Sequence, residues 1–315
     1  MCKNTHFFAI NQPNYGRCSN IVTNLGRHVP KLERLLMDLL STGLNVRRLV
    51  LDRRAKGNTI GLVPTMGALH QGHLELIKTA KAENDWVVCS IFVNPTQFNN
   101  PEDLARYPRT LEADRKLLES VGCDAVFAPS VEEMYPAAPD LKMDFGLLET
   151  VMEGAFRPGH FNGVGIVVAK LFNIVQPDQA YFGQKDLQQT AVIRSLVRNL
   201  SFPIALKICP TVRESDGLAM SSRNVRLSPE ERALAPEIYK TLSACKAALL
   251  GGAPAKEVLS RHAENLDRSG FNTEYLELVD VVTLQAIDGL KSEGGNALCI
   301  ATHLGPVRLI DNLVF

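Results

Sequence analysis

The chain has 315 residues, with 34 Lys plus Arg against 34 Asp plus Glu and 45% hydrophobic residues. That length allows two domains, and the balanced charge excludes a global field that would draw the protein to nucleic acid or an anionic membrane. No apolar run reaches the length of a membrane span, and the seven scattered cysteines (Cys2, Cys18, Cys89, Cys123, Cys209, Cys245, Cys299) contain no Cys-x-x-Cys pair, which argues against a zinc site and for a reducing cytoplasm.

Residues 1–28 are polar and lack acidic side chains, which predicts a poorly ordered arm. The same bias is seen in organelle transit peptides, but serines are too few here. Leu32, Leu35, Leu36, Leu39 and Leu40 have helical spacing and predict a helix over 30–41. A short apolar strand follows at 60–63, ended by Pro64, then a helix from 73 to 83. Strands are expected at 86–93, 124–128, 179–182 and 204–209. Helices are expected at 101–121, 147–153, 164–175 and 186–199, with a loop over 157–163. This alternation predicts a doubly wound parallel sheet, whose ligands gather at the carboxyl ends of the strands. The last third differs. Ser228-Pro229-Glu230-Glu231 reads as a capped helix start running to about 250, a second helix covers 254–268, and strands follow at 275–282, 297–302 and 307–310. The boundary is placed near Pro210, with residues 37–210 as the main domain and 211–315 as a smaller α+β domain.

The stretch from Thr59 to His73 organises the chain: strand, Gly-containing loop, helix start. A helix N-terminus offers free N–H groups and positive dipole, a site for phosphate. His70 and His73 there can donate to phosphate oxygens or shuttle protons, although His-x-x-His is also a metal-pair spacing, and histidines are often structural. Gly67 and Gly72 allow close approach of the backbone to a ligand. Four further polar segments follow strands or interrupt helices. Gln97 closes Asn94-Pro95-Thr96-Gln97. Lys185, in Gly183-Gln184-Lys185-Asp186, stands at a helix start where the dipole disfavours a cation, which hints at a facing anion. Gln188 and Gln189 follow. Met220-Ser221-Ser222-Arg223-Asn224 offers hydroxyls and a guanidinium fork suited to phosphate. His160, in Arg157-Pro158-Gly159-His160, is left without a role.

Together these segments resemble the pantoate–β-alanine ligase (pantothenate synthetase) family from about Arg54 to the end of the chain. The carriers are PTMGALHQGH (64–73), SIFVNPTQF (90–98), PEDLARYPRT (101–110), FAPSVEEMYP (127–136), EGAFRPGHFNGV (153–164), KLFNIVQPDQAYFGQKDLQQ (170–189), DGLAMSSRN (216–224) and RLIDN (308–312). His-Gln-Gly-His is similar to the HIGH signature of the nucleotidyltransferase superfamily, which implies a Rossmann-like domain; Met-Ser-Ser-Arg is similar to the phosphate loop of class I aminoacyl-tRNA synthetases. The resemblance implies that pantoate is adenylated by MgATP and that the amine of β-alanine then displaces AMP. It implies an ATP site along Met66, Gly67, Ala68, Leu69, His70, Gln71, Gly72 and His73, with His73 as proton donor and His70 on the phosphates. Gly183, Gln184, Lys185 and Asp186 would hold ribose and phosphate, Val212 would offer its backbone to adenine, and Met220, Ser221, Ser222 and Arg223 would close over the triphosphate. Gln97 and Gln189 would hold pantoate, and Asp114 would reach the Mg2+ shell. A homodimer is also implied. Gln184 departs from the Glu of many relatives, with activity expected to survive, and residues 1–36 lie outside the resemblance. The competing readings are another adenylyltransferase of the same superfamily and a non-catalytic nucleotide-binding regulator.

Overall fold

In the computed structural model, which describes residues 37–315, the chain begins with a short strand, β1 (Asp38–Leu40), and a helix, α1 (Gly43–Ala55). The helix expected over 30–41 is therefore overturned in its described part. Residues 38–40 instead pair in parallel with residues 125–127, with Leu40 packed on the core and Leu39 exposed. Thr42 caps α1 by accepting from the Asn45 N–H at 3.3 Å, and Val46 and Val50, one turn apart, enter the core. The rest of that expected helix and the expected arm lie outside the described residues.

The alternation then runs β2 (Ile60–Thr65), α2 (Gln71–Glu83), β3 (Trp86–Ile91), a 3-10 turn (Pro95–Gln97), α3 (Pro101–Arg106), α4 (Leu111–Ser120), β4 (Ala125–Phe127), α5 (Val131–Met134), a second 3-10 turn (Gly146–Glu149), α6 (Met152–Phe156), α7 (His160–Val175), β5 (Gln179–Gly183), α8 (Leu187–Asn199) and β6 (Ala205–Cys209). All six strands are parallel, in the order β1-β4-β3-β2-β5-β6. Apolar side chains cover both faces, as a parallel sheet requires. The chain winds from β2 outward through β3 to β4, then returns to place β5 on the other side of β2. The crevice between β2 and β5 is thus the switch point of the sheet.

Three differences from expectation have prolines or glycines behind them. Pro64 lies inside β2, opposite Ser90. Ile60 uses its N–H and C=O toward Asp178, on the β5 side, so Pro64 points the same way, and β2 pairs with β5 only at Gly61 and Leu62. The missing N–H therefore breaks no ladder bond. Pro108 divides the expected 101–121 helix into α3 and α4, and Tyr107 before it is extended. Gly159, with φ of 78°, lets α7 start at His160, so His160 stands in a helical first turn and not in a loop.

After β6 the chain forms α9 (Pro229–Leu234), α10 (Glu237–Leu250), α11 (Ala255–Arg268) and the strands β7 (Phe271–Asp280), β8 (Asn296–Leu304) and β9 (Val307–Val314). Ser228 and Glu231 form the expected capping box, but Pro236 breaks the expected long helix into α9 and α10. The strands make a separate antiparallel sheet, β7-β8-β9, on which α10 and α11 pack through their own core. Among the described residues no helix is long and apolar enough to cross a membrane.

Candidate active site

The turn after β2 is shaped before any ligand is considered. Gly67 has φ of 81° and Ala68, which carries a Cβ, has φ of 51°. Holding a non-glycine residue there costs energy that the surroundings must offset. Asp114, buried on α4, supplies it: its carboxylate accepts from the Ala68 N–H at 3.0 Å and the Leu69 N–H at 2.8 Å. Thr110 also donates to it. Asp114 is therefore an anchor behind the loop, and the expectation that it reaches a magnesium shell is corrected: its oxygens face backbone N–H groups, and it does not line the pocket.

The helix start uses both histidines. His70 Nδ1 accepts from the Gly72 N–H at 3.1 Å, and His73 Nδ1 accepts from the His70 N–H at 3.3 Å, a capping box made of imidazoles. Loss of water, then the Lys185 charge, brings the His70 ring down to about 4. Loss of water, then His70 and Lys185, brings His73 down to about 3. Both rings are neutral at pH 7. With Nδ1 accepting, the ring proton sits on Nε2, so each ring is an Nε2–H donor for the pocket that both line. Gly72 serves this geometry: a Cβ there would lie 2.9 Å from His70 Cε1. Its role is to let the ring fold over the helix start.

Beyond β3, Asn94 builds the Gln97 turn. Its Oδ1 accepts from Thr96 Oγ1 and Tyr135 Oη, each at 2.9 Å, and its Nδ2 donates to Gln97 Oε1 at 3.1 Å. Gly163 of α7 lies against this turn so closely that a Cβ would sit 2.3 Å from the Thr96 carbonyl oxygen. The Gln97 Nε2 donates only to Met66 Sδ, at 3.0 Å, a weak acceptor that a substrate oxygen can replace. The Gln97 carbonyl accepts from His160 Nδ1 at 2.8 Å and from Arg157 Nη2 at 3.3 Å. Burial, then the Arg157 charge, hold the His160 ring down at about 3. It is neutral, with Nδ1 as donor and Nε2 facing Arg157 Nη1 at 3.1 Å.

The opposite wall comes from the loops after β5 and β6. Lys185 and Asp186 line the pocket beyond Gly183. Val212 lies just past β6, its carbonyl accepting from the Met220 N–H at 3.0 Å, which folds the 213–219 hairpin back and carries Ser221, Ser222 and Arg223 to the rim. Ser222 Oγ meets Tyr107 Oη at 3.2 Å, and Asp103 on α3 accepts from Arg223 Nη2 at 3.0 Å and Arg226 Nη1 at 2.8 Å. A neutral donor pair, a lysine and an arginine thus face one crevice at a helix N-terminus, an arrangement suited to a polyphosphate.

The sequence pattern described as pantoate-beta-alanine ligase matches residues 38–314. The chain belongs to the pantoate–β-alanine ligase family. A relative from Cytophaga hutchinsonii named pantothenate synthetase is 51% identical over 269 residues, covering 84% of this chain and 94% of its own length. The crystal structure of pantothenate synthetase from Thermus thermophilus is 46% identical, covers 88% of this chain and 99% of its own, and superposes with a TM-score of 0.82. That of the ligase from Francisella tularensis, complexed with β-γ ATP and β-alanine, is 36% identical, covers 88% and 97%, and has a TM-score of 0.76.

Within this family fold, the structure brings together Met66, His70, Gly72 and His73 with Gln97 and Gln189. Gly183, Lys185 and Asp186 join them from β5, and Val212 with Met220 to Arg223 from beyond β6. Besides Asp114, five expected site residues stay outside the lining. Gly67, Ala68 and Leu69 form the turn behind it, Gln71 is exposed and donates to Glu75 at 2.7 Å, and Gln184 faces Asn312. Sequence reasoning missed Tyr107, Glu153 and Arg157, and left His160 unassigned, although all four line the pocket. The signal was in EGAFRPGHF (153–161): with Gly159 starting a helix, Glu153, Arg157 and His160 fall on one side.

Proposed function

We propose that this pocket joins pantoate to β-alanine at the expense of ATP through a pantoyl adenylate. The observation that carries the reading is the pair of neutral imidazoles at the start of α2, facing Lys185 across the β2–β5 crevice. In the first step a pantoate carboxylate oxygen bonds to the α-phosphorus and the bond to pyrophosphate breaks. In the second the β-alanine nitrogen bonds to the acyl carbon, the bond to AMP breaks and the nitrogen loses a proton. The pocket needs no protein nucleophile for this; it needs aligned reactants and donors aimed at the charge that develops on phosphate oxygens. His73 acts there as a neutral Nε2–H donor, beside His70 and Lys185, and Met220 to Arg223 close over the triphosphate. Gln97 and Gln189 hold pantoate with amides, which bond hydroxyl and carboxylate groups without adding charge.

The nucleotide and the amine are supported by the Francisella relative's complex. Magnesium enters as the counter-ion of the triphosphate. Among the described residues no cluster of three or more His, Cys, Asp or Glu could cage a metal, and Mg2+ commonly keeps its waters and rides on substrate phosphates. Residues 211–315 form the lid side of the pocket, with the boundary at Pro210. The homodimer and the reducing cytoplasmic setting belong to the same reading; buried thiols at Cys89, Cys123, Cys209, Cys245 and Cys299 support the second.

ATP–pyrophosphate exchange tests the reading. Exchange dependent on pantoate is expected. Exchange driven instead by nicotinamide mononucleotide or phosphopantetheine would assign another adenylyltransferase, and binding of ATP with no exchange would assign a regulator. Gln97→Ala and Gln189→Ala should each weaken pantoate by about 1–3 kcal/mol, the cost of a lost buried polar partner. ATP should be weakened far less, and equal weakening of both ligands would contradict the assignment.

A further inference from the structure

The motif Arg308-Leu309-Ile310-Asp311-Asn312 lies on β9, in the small sheet, yet Ile310, Asp311 and Asn312 line the pocket and Arg308 grips Glu153 in its wall. Val307 and Leu309 enter the core of the small domain, so the alternate residues Arg308 and Asn312 face the main sheet. They are separated by about 13 Å along the strand, at about 3.3 Å per residue. Asn312 Nδ2 donates to the carbonyls of Gln184 and Lys185, each at 2.9 Å, and its Oδ1 accepts from Gln184 Nε2 at 3.3 Å. The backbone that carries Lys185 is thus tied from outside its own loop.

Arg308 works toward the other end. Its Nη1 and Nη2 grip Glu153 Oε2 at 2.8 Å and Oε1 at 2.6 Å, while Nε holds Glu274 Oε2 at 2.9 Å. Tyr275 Oη donates to the same Glu153 at 2.8 Å. Glu153 in turn lies 3.5 Å from Arg157 Nη1, and Arg157 and His160 both hold the Gln97 carbonyl. Burial acts to raise the Glu153 carboxyl, but Arg308 and Arg157 outweigh it and hold it down at about 2, so the link is ionic.

We propose that β9 is the positioning strand of the active site and sets its two ends separately: Asn312 holds the Lys185 backbone, and Arg308, through Glu153 and Arg157, holds the Gln97 turn. This rests on the ligase reading for which ligand occupies each end. None of these β9 residues is a catalytic residue; each acts through another.

The test is ATP–pyrophosphate exchange in the full chain, with ATP and pantoate titrated in turn. Asn312→Ser should raise the KM for ATP about tenfold and leave that for pantoate within about twofold, as expected for one lost buried donor. Arg308→Lys, which keeps the charge and loses the two-nitrogen grip, should do the reverse by about tenfold. Tyr275→Phe removes only a hydroxyl and should follow Arg308→Lys at about threefold. If Arg308→Lys does not fold, Tyr275→Phe decides that arm. Folded variants that move both constants by one factor, or neither, overturn the proposal. A wild-type chain without pantoate-dependent exchange overturns the ligase reading instead, and calorimetric ATP binding by Asn312→Ser then still decides the Lys185 arm.

Discussion

The turn after β2 and the strand β9 both shape the pocket, by opposite means. The turn gathers its chemistry within ten residues: two imidazoles, the glycine that lets one fold over the helix start, and the backbone donors they cap. Strand β9 supplies no donor to the reacting atoms in the proposed mechanism, and its partners Gln184 and Glu153 lie more than a hundred residues earlier in the chain. A local device can be read from spacing, whereas a distant one becomes visible only when the two sheets are seen together. The largest expected effect belongs to the local device. His73→Ala should slow adenylate formation by about two to four orders of magnitude, the range for losing an acid–base or charge-stabilising group. The lost cap should cost only about 1 kcal/mol of stability. Single-turnover rates near wild type in this variant would remove the turn from the chemistry and erase the contrast.

Acid separates the buried imidazoles, His70 and His73 in the turn and His160 beside Gln97, from the Glu153 carboxylate. His70 and His73 titrate in the fold at about 4 and about 3, below the ordinary 6.5. Between those values the unfolded chain binds more protons than the fold. Their contribution is thus fully present above about 6.5 and is lost as pH falls through 4 and 3. Glu153 is held at about 2 against an ordinary 4.5, so its contribution is present above 4.5 and lost only as pH falls toward 2. The melting temperature should therefore decline first through these histidines and His160, also held at about 3, because they take up protons in the unfolded chain before they do so in the fold. In His73→Ala the decline between pH 6.5 and 4 should be shallower, while the Glu153 network still holds. A wild-type melting temperature flat from pH 7 to 4 would contradict the depressed imidazoles. Neutral rings also mean that the exchange rate should show no histidine limb between pH 5 and 8.

How much of this was legible follows the same division. The buried runs at 86–91 and 179–183 gave strands because a parallel sheet hidden on both faces has no polar alternation to confuse the reading. The His70–His73 turn was legible because glycine, proline and helix start stood side by side. The leucines at 39 and 40 misled, since helical spacing over 32–40 could not show that residues 38–40 would complete the sheet edge beside β4. The apolar residues of α1 were passed over because Leu44 and Leu51 are exposed, which blurs the buried Val46–Val50 stripe. Asp114 was misassigned because an acidic residue near a nucleotide loop suggests a metal. Its partners, the N–H groups of Ala68 and Leu69, are 46 and 45 residues away. Arg308 and Asn312 stand in RLIDN, which carries the resemblance, but nothing near them in the chain signals their partners Glu153 and Gln184.

The smallest effect sharpens the comparison at the contact where β9 meets the β5 loop. Both N–H bonds of the Asn312 carboxamide point to the carbonyls of Gln184 and Lys185, which leaves only Oδ1 toward residue 184. Gln184 meets it with a donor at 3.3 Å. Gln184→Glu at neutral pH sets a carboxylate against that oxygen, acceptor against acceptor, and adds a negative charge beside Lys185. Loss of one long, part-buried bond is worth about 0.5–1.5 kcal/mol, which is roughly a two- to tenfold rise in the KM for ATP. The pantoate constant should stay unchanged, because Gln97 is held through Arg308 and not through Asn312. The rise should shrink as pH falls toward the carboxyl pKa, where the protonated side chain regains a donor. Steady-state titration of each substrate from pH 5 to 8 checks this. An ATP constant equal to wild type across that range would mean that the Gln184 side chain is slack, and that β9 grips the loop through the two backbone carbonyls alone.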